Sequence, residues 1–390
     1  MISVTEALAH LFALTPQLPV EHVPLRAAAG RTLAQDVQAQ RTQPPFAASA
    51  MDGYALRNDE AKPSAQFHVI GESAAGHRFQ GNIQPGQAVR IFTGAPVPTG
   101  ADRVIIQEDV TRQGDHITLD DNLDQQTYIR AAGQDFSAGE TIKAPRTLRP
   151  ADIALLAAMN IATVPVTRKP VVAIIPTGDE LVQPGEAPSM DQIIASNSYG
   201  LAALLEDLGA SPRLLPIAKD SATSLALTFD LAQSADLIIT IGGASVGDHD
   251  LVGQVAGDKG MEQAFYKIAM RPGKPLMAGK MGGAMMIGLP GNPVSAMVCG
   301  HVFVAPVIRA MLGHKADATP TQTATLAHDI GPNGPRAHYM RGHLGSEGLQ
   351  VFDRQDSALL SVLARANCLA IRPPNDRARP KGDPLQIIQL

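Results

Sequence analysis

The run DLIITIGGASVGDHD at 236–250 constrains this chain more than any other stretch. Its first half is short, apolar and rich in β-branched residues, the mark of a strand buried on both faces of a parallel sheet. It discharges into Gly242-Gly243, then Ser245, Gly247, Asp248 and Asp250. Glycines after a buried strand let the backbone approach a ligand closely and turn N–H groups towards phosphate oxygens. Carboxylates stand where a P-loop carries its lysine. The pattern therefore points to a phosphate-bearing ligand bridged by a metal ion.

The flanking sequence repeats the theme. VVAIIPTGDEL reads as a buried strand ending at Thr177-Gly178-Asp179-Glu180, and RLLPIAKD as another ending at Asp220. Between and after them, 197–208 carries Leu201, Leu204, Leu205 and Leu208 at helical spacing before Gly209, and 221–233 carries Leu225, Phe229 and Ala232. Strand–helix alternation predicts a three-layer α/β domain with a parallel sheet, binding its ligand outside the carboxyl ends of the strands. Glu180, Asp220, Asp248 and Asp250 each follow such an end. A lone aspartate there is usually a helix N-cap, but acids at successive strand ends favour a site. AFYKIAM, PLMAGKM and AMMIGL are the next strands. On an extended segment Lys267 and Arg271 face the same side, and Arg271-Pro-Gly-Lys-Pro sets Lys274 on a rigid turn. Ordinary surface charge is the plain alternative; opposite a cluster of acids, these cations read better as oxyanion clamps. GLPGNPVS then leads through Ser295 into an apolar helix at 294–312, whose start offers free N–H groups to an anion.

A chain of 390 residues exceeds one core, so about two to four domains are expected. Ser3-Val-Thr-Glu6 is a capping box opening a short helix, and 150–160 reads as a second helix that should pack with it. Between them, FHVIGE, AVRIFTG, RVIIQEDV and HITLD describe a small β-rich insertion in an elongated, partly helical domain. Asp52 sits in a Met-Asp-Gly-Tyr turn, where capping its own backbone is an even alternative to function. Thr93 exposes a hydroxyl on a Pro-rich corner, and Asp135 lies on a Gly-flanked turn. From about residue 321 short strands return, forming a small all-β tail in which Arg341 and Ser357 read as surface residues on spacing alone. The net charge of −5 with no basic stripe argues against a nucleic-acid partner. Cys299 and Cys368 are isolated and read as buried free thiols. Helix 294–312 carries His301, Pro306 and Arg309, so it reads as a buried helix rather than a membrane span. No signal peptide is read, and a cytoplasmic location is expected.

SAMDGYA, TGAPVP, TGDEL, GGASVGDHD, RPGKP and GLPGNPVS, in this order, resemble the molybdopterin molybdenumtransferase (MoeA / gephyrin E-domain) family over essentially the whole chain. The resemblance implies a connecting domain at 1–45 and 141–170, a β-rich insertion at 46–140, an α/β molybdopterin-binding domain at 171–316 and a small barrel-like β domain at 317–390. It implies a Mg²⁺-dependent enzyme that takes molybdate and adenylylated molybdopterin, hydrolyses the adenylyl group, releases AMP and leaves the molybdenum cofactor. The implied catalytic acids are Asp52, Asp135, Glu180, Asp220 and Asp250, with Glu180 and Asp250 on the metal. Thr93, Gly242, Gly243, Ser245, Gly247, Asp248, Lys267, Arg271, Lys274, Ser295, Arg341 and Ser357 would bind substrate. Arg271 stands where many members have lysine. A homodimer with a composite site is implied, as is contact with molybdopterin adenylyltransferase and with acceptor molybdoenzymes. The alternatives are molybdopterin adenylyltransferase itself, whose single α/β domain resembles 171–312, and a non-catalytic scaffold dimer.

Overall fold

In the computed structural model, which describes residues 1–242 and 251–390, the chain divides into two compact units. One comprises Met1–Glu21, Gly30–Ala34 and Val166–Leu390, and the other His22–Ala29 and Gln35–Pro165.

The chain begins with α1 (Val4–Leu14), closed by the expected capping box between Ser3 and Glu6. The second unit is built on a six-stranded sheet of β1 (Gly53–Leu56), β2 (Gln66–Ser73), β3 (Gln87–Ile91), β4 (Arg103–Ile106), β5 (Val110–Gln113) and β6 (His116–Leu119). Its spatial order is β4-β1-β3-β2-β6-β5. Alternation sends Tyr54 and Leu56 into one small core and Ala55 into another, so β1 is buried on both faces. The helix α2 (Pro150–Ala158) buries Leu156 in this unit. By contrast α1 sends Leu8 and Leu11 into the α/β core, so the two helices do not share the apolar face expected of them.

The α/β part contains β7 (Val171–Pro176), α3 (Ser196–Asp207), β8 (Ser211–Leu214), α4 (Ala222–Leu231), β9 (Leu237–Ile241), α5 (Leu251–Asp258), β10 (Met261–Tyr266), β11 (Met270–Arg271), β12 (Met277–Met281) and β13 (Ala284–Leu289). The sheet order is β8-β7-β9-β13-β12-β10. β8, β7, β9 and β13 are parallel, whereas β12 and β10 turn back antiparallel. The expectation of a parallel sheet holds for one half; on the other edge a tight turn at Gly282-Gly283 and the segment carrying β11 replace helices. Residues alternate between two cores: Leu237, Ile239 and Ile241 face one, and Ile238 faces the other. Leu201 and Leu205 of α3 cover the first face, and Leu225 and Phe229 of α4 the second. Three layers result.

The apolar helix is α6 (Pro293–Cys299) and α7 (Ala305–Met311), joined by a π-helical turn over Gly300–Val304. It is long and apolar enough to cross a membrane, but most of it is buried within the protein. The last strands are β14 (Gln322–Thr325), β15 (Ala337–Gly345), β16 (Gly348–Val351), β17 (Cys368–Arg372) and β18 (Pro384–Gln389), ordered β11-β15-β17-β18-β14 with β16 on β15. A bridge from Leu326 to Leu349 brings the end of β14 back to β16, so the sheet curls towards a barrel. β11, on the chain leaving β10, joins this sheet in parallel with β15. That one pairing ties the cationic segment to the tail. Both cysteines are free and buried.

Candidate active site

A cleft of about 1180 Å³ opens at the carboxyl ends of β7, β9 and β13 and is closed on its far side by the tail. Its lining includes Glu180, Asp220, Gly242, Arg271, Lys274, Ser295 and Ser357. The cleft lies where open α/β sheets bind their ligands.

One rim is acidic. Thr177 continues β7 by donating its amide to Ile241 O (3.0 Å), and Gly178 N donates to Ala218 O (3.0 Å). These bonds align the strand ends so that Asp179 and Asp220 exchange contacts: Asp179 N to Asp220 Oδ2 at 3.4 Å and Asp220 N to Asp179 Oδ1 at 3.2 Å. Asp220 is no N-cap; that role falls to Ser221, whose hydroxyl accepts from Ser224 N. Glu180 is exposed, and its carboxylate has no hydrogen bond among the described residues. Gly242, at φ +95°, brings its backbone so close that a Cβ would lie 2.7 Å from Thr177 O. Only glycine accepts both conditions.

The opposite rim is cationic. Arg271 and Lys274 are exposed to the cleft on a turn pinned by its own backbone. The Lys274 carbonyl accepts from Ile268 N (3.0 Å) and Leu276 N (3.1 Å). Gly273 (φ +110°) lies against the floor, where a Cβ would meet Cys299 Sγ at 2.5 Å. Lys267 departs from expectation. Its φ of +70° ends the extended segment, it is absent from the cleft lining, and its Nζ lies 4.8 Å from the Tyr266 ring centroid.

Behind Arg271 stands Arg341, which is fully buried rather than a surface residue. Its Nη2 donates to Arg354 O (3.0 Å), while Nε and Nη1 have no partner among the described residues. Burial lowers its pKa, Asp356 opposes the shift and Arg271 adds to it. Gln355 fixes the loop that carries Asp356 and Ser357. Its Oε1 accepts from Arg341 N (3.0 Å) and its Nε2 donates to Arg341 O (2.9 Å). Val294 N then donates to Ser357 O (3.0 Å), seating this loop on α6. Ser295 is buried beside it.

Asp52 and Thr93 lie in the other unit and meet each other. Asp52 Oδ1 accepts from both Thr93 N and Thr93 Oγ1, each at 2.7 Å. The aspartate therefore caps the Thr93 corner rather than its own turn. These bonds, with Arg90 nearby, hold its carboxyl below the usual carboxylate range. Gly53 is needed because β1 passes β4 closely; a Cβ would lie 1.9 Å from Ile105 O. Asp135 lines a separate hollow of about 380 Å³ with Phe136, Lys143 and Arg146. Gly243, Ser245, Gly247, Asp248 and Asp250 lie outside the described residues.

The cleft also contains groups that spacing did not single out: Asn197, whose Nδ2 donates to Gly291 O (2.7 Å), with Asn292, Arg336, Gln355 and Asp356. Asn292 lies within the GLPGNPVS motif, so motif reading was able to find it. Arg336, Gln355 and Asp356 become site residues only through β11–β15 pairing and the folded-back loop.

Fold and cleft together describe a multidomain α/β protein with a candidate site between an α/β sheet and a β tail. Three family descriptions match in succession: "MoeA N-terminal region (domain I and II)" over residues 2–160, "Probable molybdopterin binding domain" over 173–310 and "MoeA C-terminal region (domain IV)" over 323–390. A molybdopterin molybdenumtransferase of a Nostoc species is 36% identical over 410 residues, covering 100% of this chain and 94% of the relative. That of Haemophilus influenzae is 36% identical over 368 residues and 91% of each chain. A crystal structure of the molybdopterin biosynthesis moeA protein from Pyrococcus horikoshii superposes with a TM-score of 0.85 at 28% identity, covering 100% of both chains. This chain belongs to the molybdopterin molybdenumtransferase family, and it is a transferase enzyme.

Proposed function

We propose that this enzyme inserts molybdenum into molybdopterin, taking molybdate and adenylylated molybdopterin and releasing AMP. The observation that carries the reading is the opposition of two rims across one cleft, exposed carboxylates on one side and unpaired guanidinium and ammonium groups on the other. An oxyanion fits the cationic rim, where Arg271 offers a planar fork and Lys274 a point charge. Arg341 reinforces them from behind with two uncommitted nitrogens.

The acidic rim suits a hard cation on the substrate's pyrophosphate. Among the described residues no group of three or more His, Cys, Asp or Glu could by itself enclose a metal. That fits Mg²⁺, which keeps waters and phosphate oxygens beside one or two carboxylates. Glu180 would hold it together with Asp250, and when bound it would neutralise charge on the pyrophosphate. Glu180 and Asp220 orient the attacking water and accept its proton. Water adds to one phosphorus of the anhydride, the P–O bond breaks, and AMP departs. Asp52, held by Thr93, and Asp135 serve the same chemistry from the partner subunit of a homodimer.

The test is AMP release from adenylylated molybdopterin by the purified chain. Release is expected only when molybdate and Mg²⁺ are both present, and Asp250→Asn is expected to abolish it, because a neutral amide is a poor ligand for the metal. AMP release without molybdate overturns the reading. Conversion of molybdopterin and MgATP to the adenylylated form would show the neighbouring adenylyltransferase activity instead.

A further inference from the structure

Arg271, His338 and Arg372 form one row across three strands. Arg271 on β11 is the register partner of His338 on β15, which in turn faces Arg372 on β17. Directly opposed residues project to the same face of a sheet. His338 is 7% exposed, and its Nε2 has no hydrogen-bond partner among the described residues. Arg372 is neutralised by Asp376. Arg271, Arg336 and Arg341 take part in no ion pair among the described residues, and Arg271 and Arg336 line the cleft. A buried nitrogen without a partner calls for a ligand, ion or water, and the unpaired arginines beside it favour an anion.

We infer that His338 is a positioning residue of the oxyanion site: an anion held by Arg271, its neighbour in the row, draws one proton from solvent onto the His338 ring, so that capture is proton-linked. This rests on the reading of the cleft as a molybdate site. No bond within the anion is broken; one dianion and one proton enter together. Without the anion, burial and then the charges of Arg271, Arg341, Arg372 and Arg336 push His338 down to about 4, so the ring is neutral near pH 7. The carboxylates that temper this field are Asp376, bonded to Arg372, and Asp356, which acts on Arg341. A dianion reverses the sign of the local field. Shifts of about 3–5 units are within the range of buried groups, enough to carry the ring through neutrality. The imidazolium then has N–H at both nitrogens.

Isothermal titration of the full chain with sodium molybdate near neutral pH, in two buffers of different ionisation enthalpy, reads the protons taken up per anion. Uptake approaching one proton is expected below the bound-state value, with affinity falling by up to about tenfold per pH unit as pH rises from the free-state value towards it and levelling off above. His338→Gln keeps an N–H donor but cannot titrate, so its uptake should vanish and its affinity should become flat with pH. No uptake by the unmodified chain, or equal uptake by H338Q, overturns the assignment. The unmodified chain alone supplies the first of these outcomes, so a misfolded variant does not shield the idea. A chain that binds sulfate with one proton but ignores molybdate keeps the role of His338 and overturns the molybdenum reading. Binding of neither anion overturns both.

Discussion

The two rims of the cleft are built on opposite principles. The acids sit at the ends of parallel strands, exposed, with Asp179 and Asp220 touching each other's backbone and Glu180 uncommitted. The cations form two tiers, with Arg271 and Lys274 open to the cleft and Arg341 and His338 buried, their nitrogens at Nε, Nη1 and Nε2 unpartnered among the described residues. A hard cation that keeps its waters needs accessible oxygens and little preorganisation. A large oxyanion gains most from fixed, desolvated donors, and the protein tolerates their burial because the ligand completes them. The contrast assigns a stability cost to one rim and almost none to the other.

Replacing the buried guanidinium separates function from folding most sharply. Arg341→Met should lower AMP release about a hundredfold or more, while the chemical-denaturation midpoint stays level or rises. Two buried unpaired donors typically cost about 1–3 kcal/mol, and an apolar side chain of similar length relieves that. A parallel fall in stability and activity would make Arg341 a mere structural post. Gly273→Ala attacks the turn instead. Its left-handed φ and the contact with fully buried Cys299 leave nowhere for a methyl group. A loss of about 2–4 kcal/mol is expected in urea unfolding, and a loss under about 0.5 kcal/mol would show that the floor yields.

Acid should weaken the cationic side. His338 and His301 are both pushed down to about 4, chiefly by burial and further by neighbouring arginines. Their folded values lie below the unfolded value of about 6.5, so the unfolded chain binds more protons between those limits. The stability is complete above about pH 6.5 and is lost as pH falls towards 4. Between pH 7 and 5 the loss should be on the order of 2 kcal/mol for each ring, read by thermal or urea unfolding. H338Q should remove one share, and an unchanged acid profile in that variant would refute the neutral buried ring. On the acidic rim the smallest effect is expected: Glu180→Gln should leave the unfolding midpoint where it is and impair AMP release alone. A clear drop in the midpoint would show that this carboxylate has a structural partner.

The acidic rim was legible in the sequence because its logic is local. An apolar run sets the strand, the strand's end sets the rim, and Glu180 is read off directly; β8 stops at Leu214, short of the expected end, and Asp220 reaches the rim through the Thr177–Ala218 bridge. The cationic rim was legible only in part. Arg271 and Lys274 lie in one Pro-Gly turn, but Lys267 fell away because a single left-handed residue broke the assumed alternation. Arg341 looked like a surface residue because its burial depends on β11, β17 and the Gln355 loop, segments up to tens of residues distant. The antiparallel edge of the sheet and the partner of α1 were missed for the same reason. Periodicity identifies an apolar face but not what covers it. Asp52 shows the converse: the Asp-Gly signature located the residue, and only the fold showed that it caps Thr93.

The most direct test of the two-rim account is a crystal of this chain soaked in molybdate, with anomalous diffraction recorded on either side of the molybdenum absorption edge. One dominant peak is expected within hydrogen-bonding distance of Arg271, Lys274 and the Ser357 side of the cleft. A peak seated on the Glu180–Asp220 rim, or outside the cleft, would contradict it.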